Sequence, residues 1–169
     1  MPAFATQRYM PYTPEQMFAL VADVEKYPEF LPLCEALSIK RDYKDNQGRK
    51  VLIADMTCGY KTLRENFISR VRLDRAQNEI FVEYIDGPFR YLENKWSFLT
   101  HNNGCMVTFN IKYEFKSRML GVLVGGLFDK AFRKFASAFE ARAGQVYAHT
   151  PQIGAGSEMP FNDLASQKR

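Results

Sequence analysis

The sequence predicts an α+β fold in which a curved antiparallel sheet of about six or seven strands wraps around one long C-terminal helix. Two observations predict it. Over residues 37–115 apolar and polar residues alternate with period two between turn-forming clusters, and over residues 119–147 the apolar period becomes that of a helix. A third observation sets the scale: 169 residues, 46% hydrophobic and 14% aromatic, suffice for one domain with a core and room for an internal cavity.

Residues 4–10 are short, aromatic-flanked and followed by Pro11, which reads as a first strand. A helix follows. Thr13 stands at the N-cap, Pro14 at the first helical position and Gln16 at the third, and Met17, Leu20, Val21 and Val24 recur at helical spacing. Tyr27-Pro28 is expected to close it, because the residue before proline is pushed out of the helical region, and residues 28–34 read as a second short helical turn.

The meander is broken at Asn46-Gln47-Gly48, residues 74–78, Asp86-Gly87-Pro88 and residues 101–104. Its last strand is the clearest. Cys105, Val107, Phe109, Ile111, Tyr113 and Phe115 share one face, against Met106, Thr108, Asn110, Lys112 and Glu114 on the other. Leu63, Phe67, Val71 and Leu73 alternate with Arg64, Asn66, Arg70 and Arg72, and Leu92, Trp96 and Phe98 oppose Glu93, Lys95 and Ser97. The dry faces need a cover. Leu120, Leu123, Val124, Leu127, Phe128, Ala131, Phe132, Phe135 and Phe139 supply it as a helical stripe opposite Lys130, Arg133 and Lys134. Gly121, Gly125 and Gly126 cost this helix about 1 kcal/mol each against alanine, which points to close approach or local flexibility at its start. Residues 1–148 therefore form the domain, and residues 149–169, polar and aperiodic, are expected to be a disordered tail.

Composition excludes several classes. No run of about 18 apolar residues occurs and the N-terminus lacks the blocks of an export signal, so a cytoplasmic protein, peripheral to the inner membrane, is expected. Cys34, Cys58 and Cys105 are odd in number and widely spaced, which suits small buried residues better than disulfides or zinc. The net charge of +4 favours an anionic surface, whether phospholipid or RNA. His101 falls in a turn and His149 at the tail junction, and no nucleophile elbow, phosphate loop or metal-spaced cluster occurs, so neither catalysis nor a metal is expected. Glu65 is the one acid on a dry face, at a functional position or at the sheet's rim. Arg64, Arg70 and Arg72 can meet an anion or simply line a solvated outer face.

Three stretches carry a family likeness: Tyr27-Pro28-Glu29-Phe30-Leu31-Pro32-Leu33-Cys34, Asp86-Gly87-Pro88-Phe89 and Trp96-Ser97-Phe98. In this order and spacing they resemble the coenzyme Q-binding branch of the START-like polyketide cyclase/dehydrase superfamily, over about residues 1–148. The resemblance implies a helix-grip fold. It also implies one of two roles, since one subgroup is described as quinone-binding chaperones supporting respiration and another as a toxin that blocks association of ribosomal subunits.

The reading favoured by the aromatic content and missing catalytic groups is a carrier of a polyprenyl quinone, most simply ubiquinone held as a ligand and not as a redox cofactor. The alternative partner is a ribosomal subunit, against which stands the dispersal of the basic residues. The residues assigned to the ligand are Phe30, Leu31, Pro32, Phe89, Trp96, Phe109, Tyr113, Leu120, Leu123, Val124, Leu127, Phe128 and Phe132. Phe30, Leu31, Pro32 and Leu33 form a proline-bracketed apolar turn suited to a gate or membrane-touching lip, with Phe89 either as its opposite lip or as a turn aromatic that simply packs; such a lip can also serve self-association. Lys116, Arg118, Lys130, Arg133 and Lys134 would attract anionic lipid in a transient membrane contact, with Phe30, Leu31 and Val122 dipping into the interface.

Overall fold

The computed structural model describes residues 3–147. The chain runs β1 (Ala3–Met10), α1 (Pro14–Ala22), a 3-10 turn (Val24–Glu29), β2 (Cys34–Lys44), β3 (Lys50–Tyr60), β4 (Leu63–Asp74), β5 (Glu79–Asp86), β6 (Phe89–His101), β7 (Gly104–Phe115) and α2 (Arg118–Val146). The strands form one antiparallel sheet in the order β1-β7-β6-β5-β4-β3-β2, with α2 packed on its inner face. This is the expected helix-grip arrangement. The expected tail, residues 149–169, lies outside the described residues.

Local chemistry explains the elements and two departures. The Thr13 hydroxyl accepts from the Gln16 amide at 2.9 Å and the Gln16 side chain accepts from the Thr13 amide at 2.9 Å, so both ends of the capping box close. The helix ends at Ala22, however, short of Tyr27, and the second helical turn spans Val24–Glu29, ahead of the expected residues 28–34. Pro28 instead sits inside the 3-10 turn. The turn's backbone donors include Lys26, Phe30 and Leu31, so none of these bonds asks Pro28 for the N–H it lacks. Leu33 then adopts a left-handed conformation (φ 67°) and turns the chain into β2 at Cys34, earlier than the alternation announced.

The second departure is the turn between β3 and β4. Tyr60-Lys61-Thr62-Leu63 contains no glycine, proline or asparagine, and Lys61 takes the left-handed φ of 56° that such a hairpin needs. It brings the strand count to seven.

Bulges in β2, between β4 and β5, and at Phe89/Tyr91 bend the sheet toward α2. The dry faces are largely as patterned: Cys105, Val107, Phe109, Ile111, Tyr113, Leu92, Trp96, Phe98, Phe67, Val71 and Leu73 are buried, whereas Phe115 is partly buried and Leu63, at the β3–β4 tip, is exposed. On the wet face the three arginines are satisfied locally, Arg64 by Glu35 at 2.6 Å, Arg70 by Glu83 at 3.6 Å and Arg72 over the Phe81 ring. A solvated outer face is the reading that fits them. On α2, Leu123 departs from the expected stripe and is 65% exposed. The line that faces the sheet runs Leu120, Val124, Phe128 at intervals of four, and Leu123 lies about 100° round the helix from Val124.

Candidate functional site

Between the inner face of β2–β7 and α2 the structure leaves a cavity of about 100 Å³. Period-two alternation supplies one wall: Ala54, Met56 and Cys58 from β3, Phe67 and Val71 from β4, Ile80 and Val82 from β5, and Leu92, Asn94 and Trp96 from β6. Helical periodicity supplies the other, with Phe128, Ala131, Phe132, Phe135 and Phe139. One end is closed by Val24, Tyr27, Leu31, Pro32, Leu33 and Cys34. The lining contains no carboxylate, imidazole, amine or guanidinium.

Burial further favours the neutral form of each titratable group in the lining. Burial raises the Tyr27 hydroxyl far above its usual range, pushes the Cys34 thiol up to about 11 and the Cys58 thiol to about 12. The Tyr27 hydroxyl donates to the Val21 carbonyl. The Trp96 indole donates to Asn94 Oδ1 at 3.0 Å, and Asn94 Nδ2 donates to the Asn110 carbonyl at 3.0 Å. No group of three or more His, Cys, Asp or Glu able to hold a metal occurs among the described residues.

Of the residues assigned from sequence, Leu31, Pro32, Phe89, Trp96, Phe128 and Phe132 line the cavity. Phe109 and Tyr113 stand behind that lining: the Phe109 ring is 4.6 Å from Trp96 and the Tyr113 ring 5.2 Å from Phe132. Val124 and Leu127 line a second, small hollow of about 20 Å³ against the β3–β4 tip, beside Leu33, Tyr60, Leu63 and Glu65. Glu65 is half-buried there, at the sheet's rim. Leu120 is partly buried against the core, and Leu123 faces away from both hollows.

The expected lip is corrected. Phe89 is 1% exposed, because the bulge at Phe89/Tyr91 turns it inward with Leu92, and it sits at the centre of a cluster with Phe67, Tyr84, Tyr113, Phe115 and Phe128. Leu31 is 6% exposed. Phe30 is half-buried, edge-on to Tyr27 and Phe139 with the Arg142 guanidinium over its ring, and does not reach the cavity. The most exposed large apolar side chains among the described residues lie instead on the first turns of α2, where Met119, Val122 and Leu123 are 73, 85 and 65% exposed.

Sequence reasoning placed Phe135 and Phe139 on the covering stripe without assigning them to the ligand, and passed over the β3 wall and Asn94. For Asn94 there was a signal: it is a polar residue at the parity of Leu92 and Trp96.

The family described as polyketide cyclase / dehydrase and lipid transport matches residues 10–140. A ribosome association toxin of Rickettsia prowazekii is 34% identical over 86% of this chain and 99% of that protein, and its Escherichia coli K12 counterpart 30% identical over 88% and 90%. A mitochondrial coenzyme Q-binding protein, COQ10 homolog B of Xenopus laevis, is 28% identical over 85% of this chain and 59% of its own length. Among solved structures, an 18 kDa protein of Caulobacter crescentus is 34% identical, with TM-score 0.72 over 88% of this chain and 99% of that one. An aromatase/cyclase of Streptomyces matches with TM-score 0.72 over 88% of this chain and 98% of that one, but at 14% identity shares the fold alone. No helix among the described residues is long and apolar enough to cross a membrane. The seven-stranded grip around α2 and the sequence match over residues 10–140 agree: the chain belongs to the polyketide cyclase / dehydrase and lipid transport family.

Proposed function

We propose that the chain is a non-catalytic lipid carrier that holds a polyprenyl quinone of the ubiquinone class between sheet and α2 and exchanges it at a membrane surface. The observation that carries this reading is the cavity: enclosed by aliphatic and aromatic side chains, free of charged groups, and offering no acid or base for chemistry. Such a lining suits the ligand of the coenzyme Q-binding relative.

Energetics shape the proposal. Removing one five-carbon isoprene unit from water is worth roughly 3–4 kcal/mol at about 0.8 kcal/mol per methylene. A bilayer already provides that, so a carrier gains by shape and by polar contacts to the ring. At about 100 Å³ the cavity takes a ring-sized group, well under the roughly 300 Å³ or more of pockets that enclose larger ligands. A tail therefore needs one wall to move. The first turns of α2 are the least held, and they present Met119, Val122 and Leu123 to solvent beside Lys116 and Arg118, which have no ion pair among the described residues. Apolar side chains flanked by unpaired cations match an anionic bilayer.

The deciding experiment is native mass spectrometry with organic extraction on protein purified from its own host. A polyprenyl quinone near stoichiometric level is expected; absence of any lipid, with ribosomal subunits recovered in a pull-down, overturns the carrier reading. That second reading is favoured by the names of the relatives at 30–34% identity and by the net charge of +4. It predicts salt-sensitive cosedimentation with isolated subunits.

A further inference from the structure

We infer that Asn94 is the hydrogen-bond donor that recognises a ring carbonyl inside the cavity, making the site selective for a neutral, carbonyl-bearing ring on an apolar tail. The inference rests on the lipid-carrier reading and deepens it.

Asn94 sits on the inward face of β6 between Leu92 and Trp96, and its cross-strand neighbours are Val82 on β5 and Ile111 on β7, all four lining the cavity. A leucine would fit this apolar company but would leave the Trp96 indole N–H without its acceptor; the amide supplies that acceptor and carries donors besides. Its orientation is dictated by its neighbours. The Trp96 indole nitrogen only donates, so Asn94 turns its oxygen there; the Asn110 carbonyl only accepts, so Asn94 turns its nitrogen there. An amide nitrogen carries two hydrogens. One is used on Asn110, and the other has no partner among the described residues.

The remaining donors of the lining are committed or weak. Tyr27 gives its hydroxyl hydrogen to Val21, Trp96 gives its own to Asn94, and the Cys34 thiol points to the Ala36 carbonyl at 3.9 Å. The Cys58 thiol is a poor donor. A carbonyl oxygen can only accept, and a cavity that desolvates it must return a hydrogen bond. Asn94, held by two bonds before any ligand arrives, returns it without further ordering of its side chain. The neighbouring Trp96 ring provides a flat apolar surface for the ligand's ring.

The test uses the full chain and its single tryptophan, Trp96, whose emission reports on the cavity. Probes are a decyl-substituted benzoquinone, followed by quenching of Trp96, and decylbenzene, which keeps ring and tail but has no carbonyl, followed by competition with the quinone. Asn94→Leu is expected to weaken quinone binding about three- to tenfold, the size of one neutral hydrogen bond, and to leave decylbenzene binding equal or tighter. In the wild-type protein the infrared spectrum of bound quinone is expected to show one carbonyl stretch displaced to lower frequency, an observation that does not depend on the variant folding. Equal weakening of both probes, or two unshifted carbonyl bands, overturns the inference. Failure of both compounds to bind the wild-type protein overturns the carrier reading itself, and is told apart because no variant is involved.

Discussion

The two ends of α2 are built differently. From Phe128 onward the helix buries Phe128, Ala131, Phe132, Ala136, Phe139 and Ala143. Polar pins reinforce that end: Arg8 reaches Glu140 at 2.8 Å and Ser137 at 2.7 Å, Arg142 reaches Glu29 at 2.9 Å, and the Tyr147 hydroxyl donates to the Gln16 carbonyl at 2.8 Å. Before Phe128 only Val124 is buried, three glycines interrupt the helix, and the side-chain bond there is the Ser117 cap on Leu120 at 3.2 Å. Local stability follows buried contacts, so one end is a wall and the other a flap. The proposed carrier role needs both.

The contrast is broken most severely at Phe139, which is fully buried with ring centroids 5.0 Å from Trp96 and 5.2 Å from Phe30. Phe139→Ala should cost about 3–5 kcal/mol in urea unfolding, whereas Leu123→Ala at the flap should change stability by no more than about 0.5 kcal/mol. Next in size is alkaline pH. Burial holds Cys34 up to about 11 and Cys58 and Cys105 up to about 12, above the ordinary thiol value of 9.0. Between those values the folded chain keeps protons that the unfolded chain has released, so stability is full below pH 9.0 and falls as pH rises past it. Melting temperature against pH should show that decline, and it should be shallower in a Cys58→Ala variant.

At the flap, a Cβ added at Gly125 or Gly126 meets nothing within 4 Å. Each alanine should therefore strengthen the helix by up to about 1 kcal/mol. Hydrogen exchange should slow over the first turns of α2, and quinone loading should slow with it; unchanged loading would show that the flap is not the moving wall. The smallest effect on stability is expected at Val122, 85% exposed. Val122→Asp should leave the unfolding midpoint in place while reducing flotation with anionic vesicles, and equal flotation would remove the flap from the membrane contact.

How legible this was varied with how local the cause is. The capping box at Thr13 and Gln16 and the faces of β7 and β6 follow from neighbouring residues and could be read directly. The Lys61-Thr62 turn could not, because Lys61 carries no turn signal and its left-handed φ is imposed by the pairing of β3 with β4. Of the two readings open for Phe89, the packed aromatic holds and the lip does not, because a bulge, a property of two strands, turns it inward. Leu123 was misread because a broad apolar stripe does not say where the sheet beneath it lies. Whether aromatics fill or line a space is likewise decided by their spatial neighbours, so Phe109 and Phe132 looked alike in sequence and differ in the structure.

The order of the sheet has a consequence for synthesis. β1 leaves the ribosome first, yet its partner β7 is made about a hundred residues later, Ala3 facing Lys112 and Met10 facing Cys105. At roughly 5–20 residues per second, β1 waits on the order of 5–20 s with its backbone unpaired. The β2–β6 meander can zip as each hairpin appears, while the pairing of β1 with β7 closes after it and at high contact order. Until it does, β7 offers an open edge, and the nascent chain depends on the speed of β1 docking to keep that edge from another chain.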